Sequence, residues 1–166
     1  MEKRYEVTDE KENIAEYTRL TEKFNGLANM CKEGTALTAE NVGNCFFRDN
    51  GTFQLVIPNE GNTPEHGEFF INSIKGHKYY SYSDASTHTY HVLNGNGVFI
   101  IDGENVPLTK GKRIDIFKGA VYTYVGNMLL VEEMTPNYVP EWEHEVEEVD
   151  YSTIDEIIGK PEGISK

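Results

Sequence analysis

The sequence predicts an all-β fold, an antiparallel, jelly-roll-like β-barrel with one helix before it and a short helix after it. Three observations point there. Between about residues 40 and 135, short runs rich in Val, Ile, Phe, Tyr and Thr alternate with the turn signals RDNGT, NEGN, NGNG, DGEN, TKGK, FKGA and VGN. Ahead of them, Ile14, Tyr17, Leu20 and Phe24 recur at the spacing of one amphipathic helix. Behind them, Thr153 and Glu156 stand at capping-box spacing, with Gly159 where a short helix would end.

The chain of 166 residues therefore divides into an N-terminal helical extension (1–35), a barrel (36–135) and an acidic tail with a short C-terminal helix (136–166). In the barrel, turns recur every roughly 8–12 residues, which suits a sandwich or barrel and leaves no room for the crossover helices of a parallel sheet. GVFIIDGENVPL reads as a hairpin turning at Asp102-Gly103, and the NGNG of Asn94–Gly97 reads as a further turn. The acidic run PEWEHEVEEVD reads as a solvated segment.

Composition narrows the function. The net charge is −13, and Lys and Arg form no stripe that could neutralise a phosphate backbone, so nucleic acid and anionic membrane surfaces are poor partners. No stretch approaches the ~18 apolar residues of a membrane span, and the N-terminus has no apolar signal region, so a cytoplasmic location is expected. Cys31 and Cys45 are too few for a disulfide framework and lack zinc-finger spacing; both read as ordinary thiols.

The stretch HTYHVLNGNGVFIIDGE carries His88 and His91 three apart. Side chains alternate along a strand, so if His88 faces the interior with Tyr90 and Val92, His91 faces out. The two cannot converge on one ion from a regular strand.

With its surroundings, this stretch resembles the cupin superfamily. Gly76, Tyr82, Asp84, His88 and Gly95 fall on the spacing of the first cupin motif, and Gly111, Phe117, Gly119, Tyr122 and Gly126 on that of the second. The resemblance covers residues 70 to 135 and implies a small β-barrel. In that family three histidines and one glutamate hold a metal; here those positions read Tyr82, Asp84, His88 and Tyr122. The glycines that shape the backbone are kept and the ligand types have changed. No cofactor is expected, the alternative being a divalent metal at Asp84 and His88.

Two readings follow. In the first, the chain is a small-molecule-binding barrel, a carbohydrate being one candidate ligand, with Tyr82, Tyr90, Tyr124, His77 and Phe117 as binding residues. In the second, it is a metal-free isomerase or epimerase acting on sugars or sugar nucleotides, as some cupins are. The resemblance then implies His88 as base, Asp84 as its orienting carboxylate, and Tyr122 as acid or oxyanion donor. Lys75, Lys78, Lys110, Lys112, Arg113 and Lys118 are the cations available to a diphosphate. A homodimer is expected, because unpaired strand edges favour covering or pairing.

Overall fold

The computed structural model describes residues 3–35, 37, 40, 46–48 and 53–154. Cys45 and the expected C-terminal helix beyond Ile154 lie outside the described residues. Within them the chain forms strands β1 (Tyr5–Asp9), β2 (Phe46–Arg48), β3 (Gln54–Pro58), β4 (Gly67–Ser73), β5 (Tyr79–Ser83) and β6 (Thr87–Ile101). There follow β7 (Glu104–Thr109), β8 (Lys112–Ile116), β9 (Tyr122–Val125), β10 (Met128–Thr135) and β11 (Glu143–Glu148). Helices α1 (Ile14–Lys23) and α2 (Asn25–Lys32) precede β2. All pairings are antiparallel, in the order β11-β5-β9-β6-β10-β4-β3-β2, with β7 and β8 on β6 and β1 on β8. The sheet curls into a half-barrel.

The organising element is β6. Its first half pairs with β10 and β8, and its second half with β7 and β9. The expected turn at NGNG is therefore not a turn but the bend of a 15-residue strand. Gly95 has φ +79, and a Cβ there would stand 2.4 Å from the Asn127 carbonyl oxygen. Glycine lets the strand bend and approach the β9–β10 connection closely. The Asp102-Gly103 hairpin forms as expected: φ is positive at both residues (48° and 83°), the pattern of a two-residue turn matched to strand twist.

Alternation along β10 sorts the core into two layers. Leu130 faces the interior with Val92, Phe99, Ile114, Tyr122 and Tyr124. Leu129 and Val131 face outward and are covered by Leu20 and Phe24 of the helices, together with Leu55, Ile57, Phe70 and Leu93. The helical stripe Tyr17, Leu20, Phe24 does pack on the barrel exterior, but as two helices broken at Phe24 rather than one. Ahead of them, Tyr5–Asp9 is a strand, so the N-terminal segment is not wholly helical. The acidic tail also differs from expectation: Glu143–Glu148 pairs with β5 as an edge strand of the sheet.

Two glycines separate crowding from backbone strain. At Gly76 φ is +138, and a Cβ would lie 2.3 Å from the Tyr124 carbonyl oxygen and 2.7 Å from Val125 Cα. At Gly103 φ is +83 with nothing within 4 Å. In urea denaturation, Gly103→Ala is expected to lose only the ~1–2 kcal/mol of a left-handed residue. Gly76→Ala is expected to lose about 3 kcal/mol or more, because backbone must also move. Equal losses would show that contact at Gly76 is not limiting.

Candidate active site

A cavity of about 640 Å³ opens into the barrel, lined by residues of β3, β4, β5, β6, β9, β10 and β11 and the loops around them. His88 (β6) is 6% exposed at its wall. Its Nδ1 lies 2.6 Å from Glu132 Oε2 of β10, and its Nε2 lies 3.2 Å from Glu143 Oε1 of β11. The second contact is ionic and out of line for a hydrogen bond. Tyr90 donates from its hydroxyl to the same Glu132 oxygen at 2.8 Å. Tyr90 and Tyr122 hydroxyls are 2.6 Å apart. Because Tyr90's one hydroxyl proton goes to Glu132, Tyr122 is the donor in that pair. Tyr124 donates to Gln54.

These contacts set the charges. Burial alone would push His88 toward its neutral form, but the carboxylates of Glu132 and Glu143 outweigh it and raise its pKa to about 9. At neutral pH the ring is an imidazolium, with Nδ1–H donated to Glu132. Burial would likewise raise the Glu132 carboxyl; its contacts with His88 and Tyr90 prevail and hold it below the ordinary range. Burial, reinforced by the charge of Glu132, lifts Tyr90 and Tyr122 well above a free phenol.

Among the described residues, four buried side-chain polar atoms lack a hydrogen bond: His88 Nε2, Glu143 Oε2, His91 Nε2 and Glu133 Oε1. Buried polar atoms are ordinarily satisfied, so each of these calls for a partner, whether water, an ion or a ligand, or for a chemical role. The first two belong to this site. One is a spare proton on an imidazolium and the other a spare carboxylate oxygen.

The sequence-predicted residues divide. His88, Tyr90, Tyr122, Tyr124 and His77 line the cavity. His77 Nδ1 sits 2.7 Å from the Tyr79 carbonyl, and its ring meets Tyr124 edge-on at 5.6 Å. Tyr82, Asp84 and Phe117 do not line it. Asp84 lies just past the end of β5, with a half-exposed side chain bound to His144 Nε2 at 2.6 Å, so the carboxylate that orients His88 is Glu132 instead. Tyr82 stacks on His144, and Phe117 is 39% exposed. Glu132 and Glu143 were missed because both lie outside the spaced motifs, Glu143 in a run read as solvated. The available signal was MLLVEEMT, which puts two carboxylates into an otherwise apolar strand. His91 points away from His88, as alternation requires, and lies buried beneath α1.

The donor set does not suit a metal of the cupin type. Of the four motif positions only His88 and Tyr122 face the cavity, and the ring of His88 is flanked by a carboxylate at each nitrogen. Among the described residues, the cavity brings no three His, Cys, Asp or Glu ligand atoms within 4.8 Å of one another. None of the six cations considered for a diphosphate lines the cavity. Lys112 is bound to Asp9, Arg113 to Asn13 and Asp115, and Lys78 lies by Glu148.

A curled antiparallel half-barrel with its site in the concave face is the cupin fold. No protein-family model matches the sequence, and no curated protein matches it. Among solved structures, Streptomyces PAC13, seen as a histidine-to-glutamine variant with uridine, is similar with a TM-score of 0.62 at 21% identity, covering 70% of this chain and 94% of that one. A structure of Pac13 described as a unique nucleoside dehydratase gives 0.62 at 22% identity over the same shares. An RmlC-like cupin from Shewanella frigidimarina gives 0.49 at 18%, over 61% of this chain and 89% of that one.

The His88 contacts have a pH signature. A histidine near 6.5 when unfolded and about 9 when folded stabilises fully below pH ~6.5 and loses that contribution as pH rises through ~9. Wild-type urea stability is expected to fall between pH 6 and 10 by up to about 3 kcal/mol more than that of His88→Gln. Parallel profiles would show that His88 titrates normally. Glu132→Gln should unfold more readily by about 3 kcal/mol, because it takes from a buried charge the nearer of its two carboxylates.

Proposed function

We propose that the barrel binds an uncharged molecule the size of a sugar or nucleoside and moves protons on it, with His88 as acid and Glu143 as base. One observation carries this reading: a buried imidazolium with an unused Nε2–H stands 3.2 Å from a carboxylate that itself has an unused oxygen. An acid and a base side by side in an aromatic, hydroxyl-lined cavity fit proton transfer next to a carbonyl.

In this reading Glu143 takes the proton from the carbon beside the carbonyl, and the electrons of that C–H bond pass toward oxygen as an enolate. His88 gives its Nε2 proton either to a β-hydroxyl, which leaves as water as the enolate collapses, or to the former carbonyl carbon of an α-hydroxy substrate. In the latter course the substrate's hydroxyl proton passes to the first oxygen, so that the carbonyl moves to the neighbouring carbon. The first course is a dehydration and the second an isomerisation. Imidazolium next to the developing oxyanion also stabilises it by charge. The base role first assigned to His88 gives way because a ring protonated up to about pH 9 has no lone pair to offer. Tyr122 gives way as acid because its proton is committed to Tyr90. Glu132, Tyr90 and Tyr122 then act as positioning residues that fix the ring and keep it charged.

Charge also selects the ligand. Glu132, Glu143 and Glu145 line the cavity, and among the described residues no Lys or Arg does. A phosphate or diphosphate would meet three carboxylates and a single imidazolium, His88, already held between two of them, a balance that disfavours sugar nucleotides and favours free sugars and nucleosides. The uridine seen with the similar Pac13 barrel supports the same class.

Thermal shift with uridine, UMP, UDP-glucose and free aldoses tests binding. Proton exchange from D₂O into the carbon beside the carbonyl, followed by NMR, tests chemistry on a panel of aldoses and ketoses. A neutral ligand is expected to stabilise the protein where its phosphorylated form does not. His88→Gln and Glu143→Gln are each expected to slow exchange by about 10²–10⁴-fold. Tighter binding of UMP than uridine would overturn the charge argument. Binding without exchange would reduce the site to a binding pocket.

A further inference from the structure

The other two unsatisfied atoms lie on the opposite face of the same sheet. His91 is 1% exposed and Glu133 is 7% exposed, both in the layer beneath α1, and His91 Nε2 stands 3.6 Å from Glu133 Oε1. Neither atom has a hydrogen bond. Beside them lie Glu68 of β4, 4% exposed, and His66 in the turn that leads into it. Ligand atoms of His66, Glu68 and Glu133 all fall within 4.8 Å of one another. His66 Nε2 and Glu68 Oε2 are 3.4 Å apart. That is too long for a good hydrogen bond, but it matches the ~3.4 Å edge of a tetrahedron with metal–ligand bonds of about 2.0–2.1 Å.

Two side chains of α1 already bring positive charge here. Arg19 Nη2 is 2.8 Å from Glu68 Oε2 and 3.7 Å from Glu133 Oε1, and Lys23 Nζ is 2.7 Å from Glu68 Oε1. Their side chains are 45% and 33% exposed. Arg19 also holds Glu16 at 2.6 Å, so it has a partner to keep if it leaves Glu68. The cluster thus sets three carboxylates against two cations and leaves Glu133 Oε1 and His91 Nε2 with long ionic contacts but no hydrogen bond. A small divalent ion would satisfy the excess charge and the free carboxylate oxygen together.

We propose that His66, Glu68 and Glu133 form a transition-metal site on the outer face of the barrel, with His91 behind Glu133 as its orienting partner. Imidazole with carboxylates suits zinc, cobalt(II) or nickel(II), and three protein ligands leave a position for water. The site stands apart from the cavity and does not depend on the chemistry proposed there. Glu133 and Glu132 are neighbours on β10 that face opposite ways, as do His91 and Tyr90 on β6.

The test is titration of the full chain, stripped with chelator, with cobalt(II). Visible absorption and calorimetry are the readouts, and zinc(II) serves as competitor. One cobalt(II) per chain is expected, displaced by zinc(II). His66→Ala changes a half-exposed residue and leaves the core intact, so loss of binding there reads on the site; weakening beyond the ~10–100-fold of an outer-shell change is expected. His88→Gln is expected to leave metal binding unchanged, and Arg19→Ala to tighten it. No binding by wild type or Arg19→Ala, with both folded by circular dichroism, would overturn the site and leave an ion-pair latch that holds α1. Binding that survives His66→Ala, or that is lost in His88→Gln, would overturn it equally.

Discussion

A positive charge buried between two negative ones is the constraint on which this barrel depends. Taking an imidazolium and a carboxylate out of water costs several kcal/mol per ion, and only close, well-placed partners offset it. His88 meets that condition from two sides, with Glu132 at 2.6 Å and Glu143 at 3.2 Å. Glu132 comes from β10 in the middle of the sheet, whereas Glu143 comes from the edge strand β11. The charged state of the site therefore depends on β11 staying paired to β5. The acidic tail is a wall of the site, and the residues from Glu145 to Glu148 along it are exposed in the ordinary way of an edge strand.

Strand register carries the same constraint through the molecule. Tyr90 lies opposite Glu132, and His88 opposite Met134, across the β6–β10 ladder. A slip of one residue would exchange Glu132 for Glu133 and turn the imidazolium toward the wrong face. Such a slip is resisted by Leu130 on one side and by Leu129 and Val131 on the other, each packed into its own layer. The paired glutamates of β10 thus serve two separate polar networks through a single apolar strand.

How much could be read in advance follows from the range of each signal. The barrel was legible because turn residues and alternation are local, and the cupin-spaced glycines report backbone geometry directly. Gly76, Gly95, Gly111, Gly119 and Gly126 all adopt positive φ. His88, Tyr90, Tyr122 and Tyr124 were legible because strand phase alone points them inward. Partnership was not: Glu132 and Glu143 stand 44 and 55 residues from His88 and reach it only through sheet order. Asp84 was chosen for its motif spacing, but β5 ends at Ser83, so the alternation that would have turned it inward does not extend that far. The NGNG stretch misled because glycine bends a long strand with the same residues that close a tight turn.

The distribution of charge inside the barrel has a physical coherence. A cupin metal places a fixed positive charge at the centre of the concave face, where it can draw electrons from a ligand oxygen. At the positions that match the spacing of the cupin ligands this chain has Tyr82, Asp84, His88 and Tyr122, and the positive charge is the imidazolium of His88, maintained by two carboxylates. Imidazolium differs from a metal ion in one respect that matters for chemistry: its charge is carried by a proton that it can give away. Once given, the ring is neutral and the surrounding carboxylates favour its reprotonation, because each raises the affinity of the ring for a proton. In the proposed mechanism such a site would stabilise an oxyanion, donate to it and recover its proton from the adjacent glutamate, so that charge stabilisation and proton transfer reside in one side chain.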